Sequence, residues 1–137
     1  MPDTIRTVDY YYTTTPDKPG EACRALDVFK AAGVNLLVFS GFPAARKSQL
    51  DFVPADSQAF VEAAKKARIK LSRRKSGFLI QGDDRVGVIC ELLARLAAAK
   101  INVTAIDAVS AGMGRYGAIL WVKAKDLKRT AKALGAA

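Results

Sequence analysis

The chain has no histidine, two cysteines, one tryptophan and, in 137 residues, no apolar run near the roughly 20 residues that a bilayer-spanning helix needs. Without histidine the usual general base near neutral pH is missing, and no cluster of metal-ligating residues takes its place. Catalysis, a metal and a cofactor are therefore not expected. Two cysteines without Cys-x-x-Cys spacing make no disulfide framework. The opening Met1-Pro2-Asp3-Thr4 does not read as a secretory signal, so a soluble, cytoplasmic protein without membrane contact is expected.

Half of the residues are apolar and both charge signs occur, which is a globular composition rather than a disordered or fibrous one. The net charge of +9 is unevenly spread. Lys65, Lys66, Arg68, Lys70, Arg73, Arg74 and Lys75 follow one another with no acid among them, and Lys123, Lys125, Lys128, Arg129 and Lys132 surround only Asp126. The remainder is slightly acidic. Two readings follow: cations on the solvated face and last turn of surface helices, or a surface for an acidic partner such as RNA.

The dominant feature is a repeat. Asp17-Lys18-Pro19-Gly20 returns as Asp84-Arg85-Val86-Gly87, 67 positions on, and the phase holds through Cys23 and Cys90, Leu26 and Leu93, Val34 and Ile101, and Asn35 and Asn102. Each copy, at about half the chain, is only marginally large enough for an isolated core, so the two are expected to need each other. The expected modules are residues 1–72 and 73–137.

In the first copy, residues 6–14 are rich in aromatic and β-branched types and read as a strand. Pro19 suits a first helical turn, and Ala22, Cys23, Leu26 and Phe29 keep helical spacing until Gly33. Residues 34–42 and 49–53 form a hairpin about a turn at 43–47, Asp56-Ser57 is a helix-capping signal for a helix to Ala67, and residues 69–72 suggest a short last strand. The second copy predicts a strand at 77–81, a helix at 86–99, strands at 101–109 and 116–122 about a Gly112-Met113-Gly114 turn, and a helix at 126–134. Its last strand is missing. The fold class is thus α+β, two ferredoxin-like βαββαβ modules with antiparallel sheets. Residues 4–8, or a strand from a partner chain, are the candidates to fill the open edge of the second.

Leu36 to Phe39 and Ile119 to Val122 are consecutively apolar, which predicts strands covered on both faces. The second cover is expected from the other copy or from another subunit, hence a homodimer or larger assembly. Cys23 and Cys90 share helical spacing with Leu26 and Leu93, and burial on the core face is expected of them.

A helix start carrying Gly20 or Gly87 offers free amide N–H groups and a positive dipole end to a carboxylate. Asp17 or Asp84 can take an ammonium group, and Asn35 or Asn102 adds a donor and an acceptor. Together these suit an α-amino acid. Each residue also has a plain structural reading: Asp17 as turn initiator or cap, Gly20 for close packing, Asn35 as a helix-to-strand connection.

Asp17-Lys18-Pro19-Gly20, the helix with Ala22, Leu26 and Phe29, and Ala32-Gly33-Val34-Asn35-Leu36 together resemble the ACT domain, and residues 84–103 resemble a second one. The resemblance implies a stand-alone, tandem, non-catalytic regulatory protein that binds a small molecule, most simply an amino acid, at interfaces between modules. The ligand would touch the first β-α loop of one module and the early second strand of its neighbour. The implied site residues are Asp17, Lys18, Gly20 and Asn35, then Asp84, Arg85, Gly87 and Asn102. The second copy departs from the pattern at Val86, in place of proline, and at Lys100, in place of Gly33. The alternative function is a basic ferredoxin-like module that binds RNA or another acidic partner through residues 65–75, although no aromatic RNA-binding strand motif is interleaved with those cations.

Overall fold

A computed structural model describes residues 3–137. In chain order the elements are β1 (Thr4–Pro16), α1 (Glu21–Ala31), β2 (Leu36–Ala44), β3 (Lys47–Pro54), α2 (Ser57–Lys66), β4 (Lys75–Asp83), α3 (Val88–Ala98), β5 (Ala105–Gly112), β6 (Arg115–Trp121) and α4 (Leu127–Leu134), the last preceded by a 3-10 turn at Ala124–Asp126. The described residues thus hold six antiparallel strands and four helices, two ferredoxin-like βαββ modules. They fold as two compact units. One is Asp9–Lys75; the other is Ser76–Ala137 together with the residues up to Val8.

In the Asp9–Lys75 unit the strand order is β2-β3-β1. Tyr11 stands opposite Phe52 and Phe39 opposite the same Phe52, so these residues share the face that the helices cover. Phe29 of α1 stacks on Phe60 of α2 with ring centroids 4.4 Å apart, and both rings meet Phe52 at 5.2–5.3 Å. This aromatic cluster is fully buried and is the centre of the unit's core. Asp56 caps α2, its carboxylate accepting from the Ala59 N–H at 3.1 Å, as the sequence predicts. Residues 69–72 form no regular strand. They are tied to β1 all the same, by the Ser72 N–H donating to the Tyr12 carbonyl at 2.8 Å and the Thr13 hydroxyl donating to the Lys70 carbonyl at 2.7 Å.

In the other unit the order is β1-β4-β6-β5, and the core is mainly aliphatic: Val88, Leu92 and Leu96 of α3 lie against Phe78, Ile80, Ala118 and Leu120. Residues 4–8 supply the strand that the second repeat lacks. Ile5 is buried in this same core, and the terminal Ala137 exchanges backbone hydrogen bonds with Ile5 and Thr7 at 3.0 and 3.2 Å. Arg129 ties α4 down by donating to Asp126 at 2.8 Å and to the Ala99 carbonyl at the end of α3.

The consecutive apolar runs behave differently in the two units. Ile119, Leu120, Trp121 and Val122 are all buried, as expected. On β2, Leu37 and Phe39 remain 38% exposed, so that strand is not covered on both faces. Cys23 and Cys90 are exposed, against expectation. The inward stripe of α1 is Ala25 and Phe29, that of α3 is Val88, Leu92 and Leu96, and neither thiol lies on it.

All four helices stop in the same way. Gly33, Arg68 and Lys100, just past the C-caps of α1, α2 and α3, and Gly135, the C-cap of α4, have φ of 70°, 59°, 59° and 68°, and the next N–H of each reaches back into the helix, as Val34 does to Phe29 and Ile101 to Leu96, both at 2.9 Å. Lys100 therefore takes the left-handed conformation without being glycine. Replacing Lys100 by Gly is expected to raise stability by about 0.5–1 kcal/mol in urea denaturation, because it removes the Cβ clash of that conformation. In the same unit burial, then the negative charge of Asp3, pushes the Tyr116 phenol up to about 12. The fold favours the neutral phenol. Its contribution to stability is complete below about pH 10, the unfolded value, and is lost as pH rises from there to about 12. An alkaline titration read at the tyrosinate absorbance should show a late-ionising tyrosine that disappears in Tyr116→Phe.

Candidate functional site

The two repeated loops adopt one conformation. Gly20, the N-cap of α1, has φ 87° and ψ −13°, and Gly87, the N-cap of α3, has φ 82° and ψ 7°. A Cβ built on either would meet nothing within 4 Å, so the requirement for glycine is conformational and owes nothing to crowding. No side chain caps either helix. Instead the Glu21 N–H donates to the Lys18 carbonyl and the Val88 N–H to the Arg85 carbonyl, each at 3.3 Å, which closes the loop and leaves the first turn open to a ligand.

The side chains around these matching backbones differ. Asp17 accepts the Ser48 hydroxyl at 3.1 Å, fastening the first loop to β3. The corresponding Asp84 uses its backbone, donating its N–H to the Gly114 carbonyl at 2.8 Å in the β5–β6 turn. Arg85 forms an ion pair with Glu91 in α3. Lys18 instead lines an open cleft of about 290 Å3.

That cleft lies between the start of α1 and the end of the β2–β3 hairpin. Lys18, Glu21 and Ala22 form one side, Phe39, Gly41 and Pro43 the other, with Thr15, Ser48 and Leu50 completing it. Its size is at the lower end of small-molecule sites. A cation and a carboxylate three residues apart face an aromatic ring there, which is an arrangement for a zwitterion with an apolar side chain. Glu21, Phe39 and Ser48 were not among the expected site residues. The sequence signal for Phe39 was the apolar run 36–42, which reads as core, whereas the ring packs on Phe52 at 5.5 Å and keeps its outer side open.

Asn35 and Asn102 stand elsewhere. Each follows the far end of its helix, and an 11-residue helix separates its ends by about 16 Å. Within a unit, then, neither is brought to Gly20 or Gly87. Asn35 is exposed, and its carbonyl accepts the Ala55 N–H at 2.9 Å.

The basic run 65–75 has mixed employment. Lys65 and Lys66 end α2, where cations suit the helix dipole, and Lys75 lies 5.2 Å from the Tyr12 ring centre and 6.0 Å from that of Tyr10. Burial, followed by the charge of Asp51 and the neighbouring Tyr12, pushes the Tyr10 phenol up. Among the described residues no helix is long and apolar enough to cross a membrane.

No protein-family model and no curated protein sequence matches the chain. Solved structures do. Protein BT0572 from Bacteroides thetaiotaomicron superposes with a TM-score of 0.84 at 12% identity, over 96% of this chain and 88% of that one. The ligand-free regulatory subunit of aspartate kinase from Thermus thermophilus gives 0.65 at 16% identity, over 97% and 94%. The aspartokinase alpha and beta subunits give 0.64 at 17%, over 98% and 95%. At such identities the likeness is one of fold alone.

The open space at Gly20 generates a discriminating test. Gly20→Ala is expected to cost about 1 kcal/mol or more in urea denaturation, while Gly20→Asn, which tolerates the left-handed region, costs less. Equal losses would mean that crowding, rather than φ, fixes this position.

Proposed function

We propose that this chain is a non-catalytic, cytoplasmic regulatory protein of the tandem ACT type that binds an α-amino acid beside the start of α1. The observation that carries this reading is the cleft that joins Lys18 and Glu21 to Phe39 at an uncapped helix start. The ligand carboxylate is taken by Lys18 and the free first-turn amides, its ammonium by Glu21, and an apolar side chain by Phe39 and Pro43. The fold shared with regulatory subunits of aspartate kinase supports a sensing role. Asp17 positions the loop through Ser48, and Gly20 supplies its conformation. In the second module Asp84, Arg85 and Gly87 build the equivalent turn, with Arg85 engaged by Glu91.

Asn35 and Asn102 join such sites only from a neighbouring module or a second copy of the chain, which supports the homodimer reading. The edge strand β2 supports it too: it carries no charge in nine residues, and Leu37, Phe39 and Phe42 are exposed along it. Edges of that kind pair with another chain unless blunted. Ligand binding then biases the packing between modules and so the state of the assembly or of a regulated partner. The RNA reading is weaker, because Lys65, Lys66 and Lys75 are already employed within their own unit.

Isothermal titration of the full chain against the twenty amino acids is expected to give saturable heat with at least one, weakened roughly tenfold or more by Glu21→Gln and by Lys18→Gln, each of which removes a charge-assisted hydrogen bond. Absence of heat from all twenty would overturn the amino-acid reading.

A further inference from the structure

A second cleft, of about 360 Å3, lies on the other side of α1, between that helix, β1 and the irregular segment that follows α2. Its charged lining is Arg24, Arg68 and Lys70 against the single carboxylate of Glu21. Arg24 approaches Glu21 only at 3.9 Å, and among the described residues neither Arg68 nor Lys70 meets a carboxylate within ion-pair distance. The cleft therefore keeps a surplus of positive charge in a concave setting, where the field of several cations adds.

Three further features narrow the choice of ligand. The Thr15 hydroxyl, on the wall of this cleft, is buried with no hydrogen-bond partner, a state that a folded protein tolerates where something else supplies the partner. The Thr13 hydroxyl is already committed to the Lys70 carbonyl, and that bond holds the backbone carrying Lys70 against β1. Ala25, Val28 and Ile69 give the cleft an apolar floor, so its volume is more than an inorganic ion needs.

We infer that this cleft binds the phosphate group of a small phosphorylated metabolite. Arg24, Arg68 and Lys70 border the cleft with Thr15 in its wall, a donor set that suits a group with several acceptor oxygens, and the apolar floor suits a carbon skeleton. The cations concerned do not line the first cleft, whereas Thr15 and Glu21 border both, so the test reads phosphate binding with no amino acid present.

The test is a titration of the full-length, isotope-labelled chain followed by amide NMR at constant ionic strength, with inorganic phosphate, glycerol 3-phosphate and chloride. Saturable shifts at Thr14, Thr15 and Ile69 are expected with both phosphates, tighter with glycerol 3-phosphate, and none that saturate with chloride. Arg68→Gly removes one cation at a position whose φ of 59° glycine accepts without strain, so the variant should fold and bind about tenfold or more weakly. Lys70→Gln should weaken binding in the same direction. Non-saturating shifts, shifts matched by chloride, preference for inorganic phosphate over glycerol 3-phosphate, or binding unchanged in both variants would each overturn the inference.

Discussion

Left-handed backbone is the constraint on which this architecture rests. Positive φ occurs where α1 and α3 begin, where all four helices end, and at both hairpin turns: Gly20 and Gly87, then Gly33, Arg68, Lys100 and Gly135, then Ala45-Arg46 and the Gly112-Met113-Gly114 bulge and turn. The hairpins and helix ends of this chain need such residues, because two-residue hairpins want both central positions at positive φ and a helix that ends in this motif wants one at or just past its cap. With those positions set, β2 and β3 are forced into one register and each helix is returned across its own sheet. Glycine fills only some of them. Ala45, Arg46, Arg68, Lys100 and Met113 hold the conformation at a cost that the surrounding packing must offset.

That distribution explains what could be read from the sequence. Strands and helices were legible because apolar spacing and turn signals are local, and Asp56 was legible as a cap because its side chain bonds three residues ahead. The ends marked by Gly33 were clear, whereas Arg68 and Lys100 carry no local signal for positive φ. Burial of the thiols was misread because a spacing of three from Leu26 or Leu93 places a residue at the flank of the inward stripe, and only the packed sheet decides which flank is covered. The edge of the second sheet was legible only as a choice between residues 4–8 and a partner's strand. Its strand comes from residues 4–8, some seventy positions from β4, and no repeat or periodicity encodes a pairing over that separation.

The repeated Asp-x-x-Gly has a sufficient structural cause in both copies, since a left-handed N-cap with nothing near its missing Cβ is what makes the strand-to-helix turn. Duplication keeps that turn whether or not anything binds to it. The side chains placed around it separate the copies: Arg85 is held by Glu91, while Lys18 opens onto a cleft whose far wall is Phe39 and Pro43. The motif therefore supplies an open helix start and its dipole, and the hairpin supplies the far wall of the cleft. Of the residues legible in the motif, Lys18 alone reaches the cleft, and its partners Glu21, Phe39 and Ser48 come from positions that read as helix, core and strand. The hairpin beside the turn is β2–β3 in one unit and β5–β6 in the other, so the two modules share a backbone turn while the side chains around it differ.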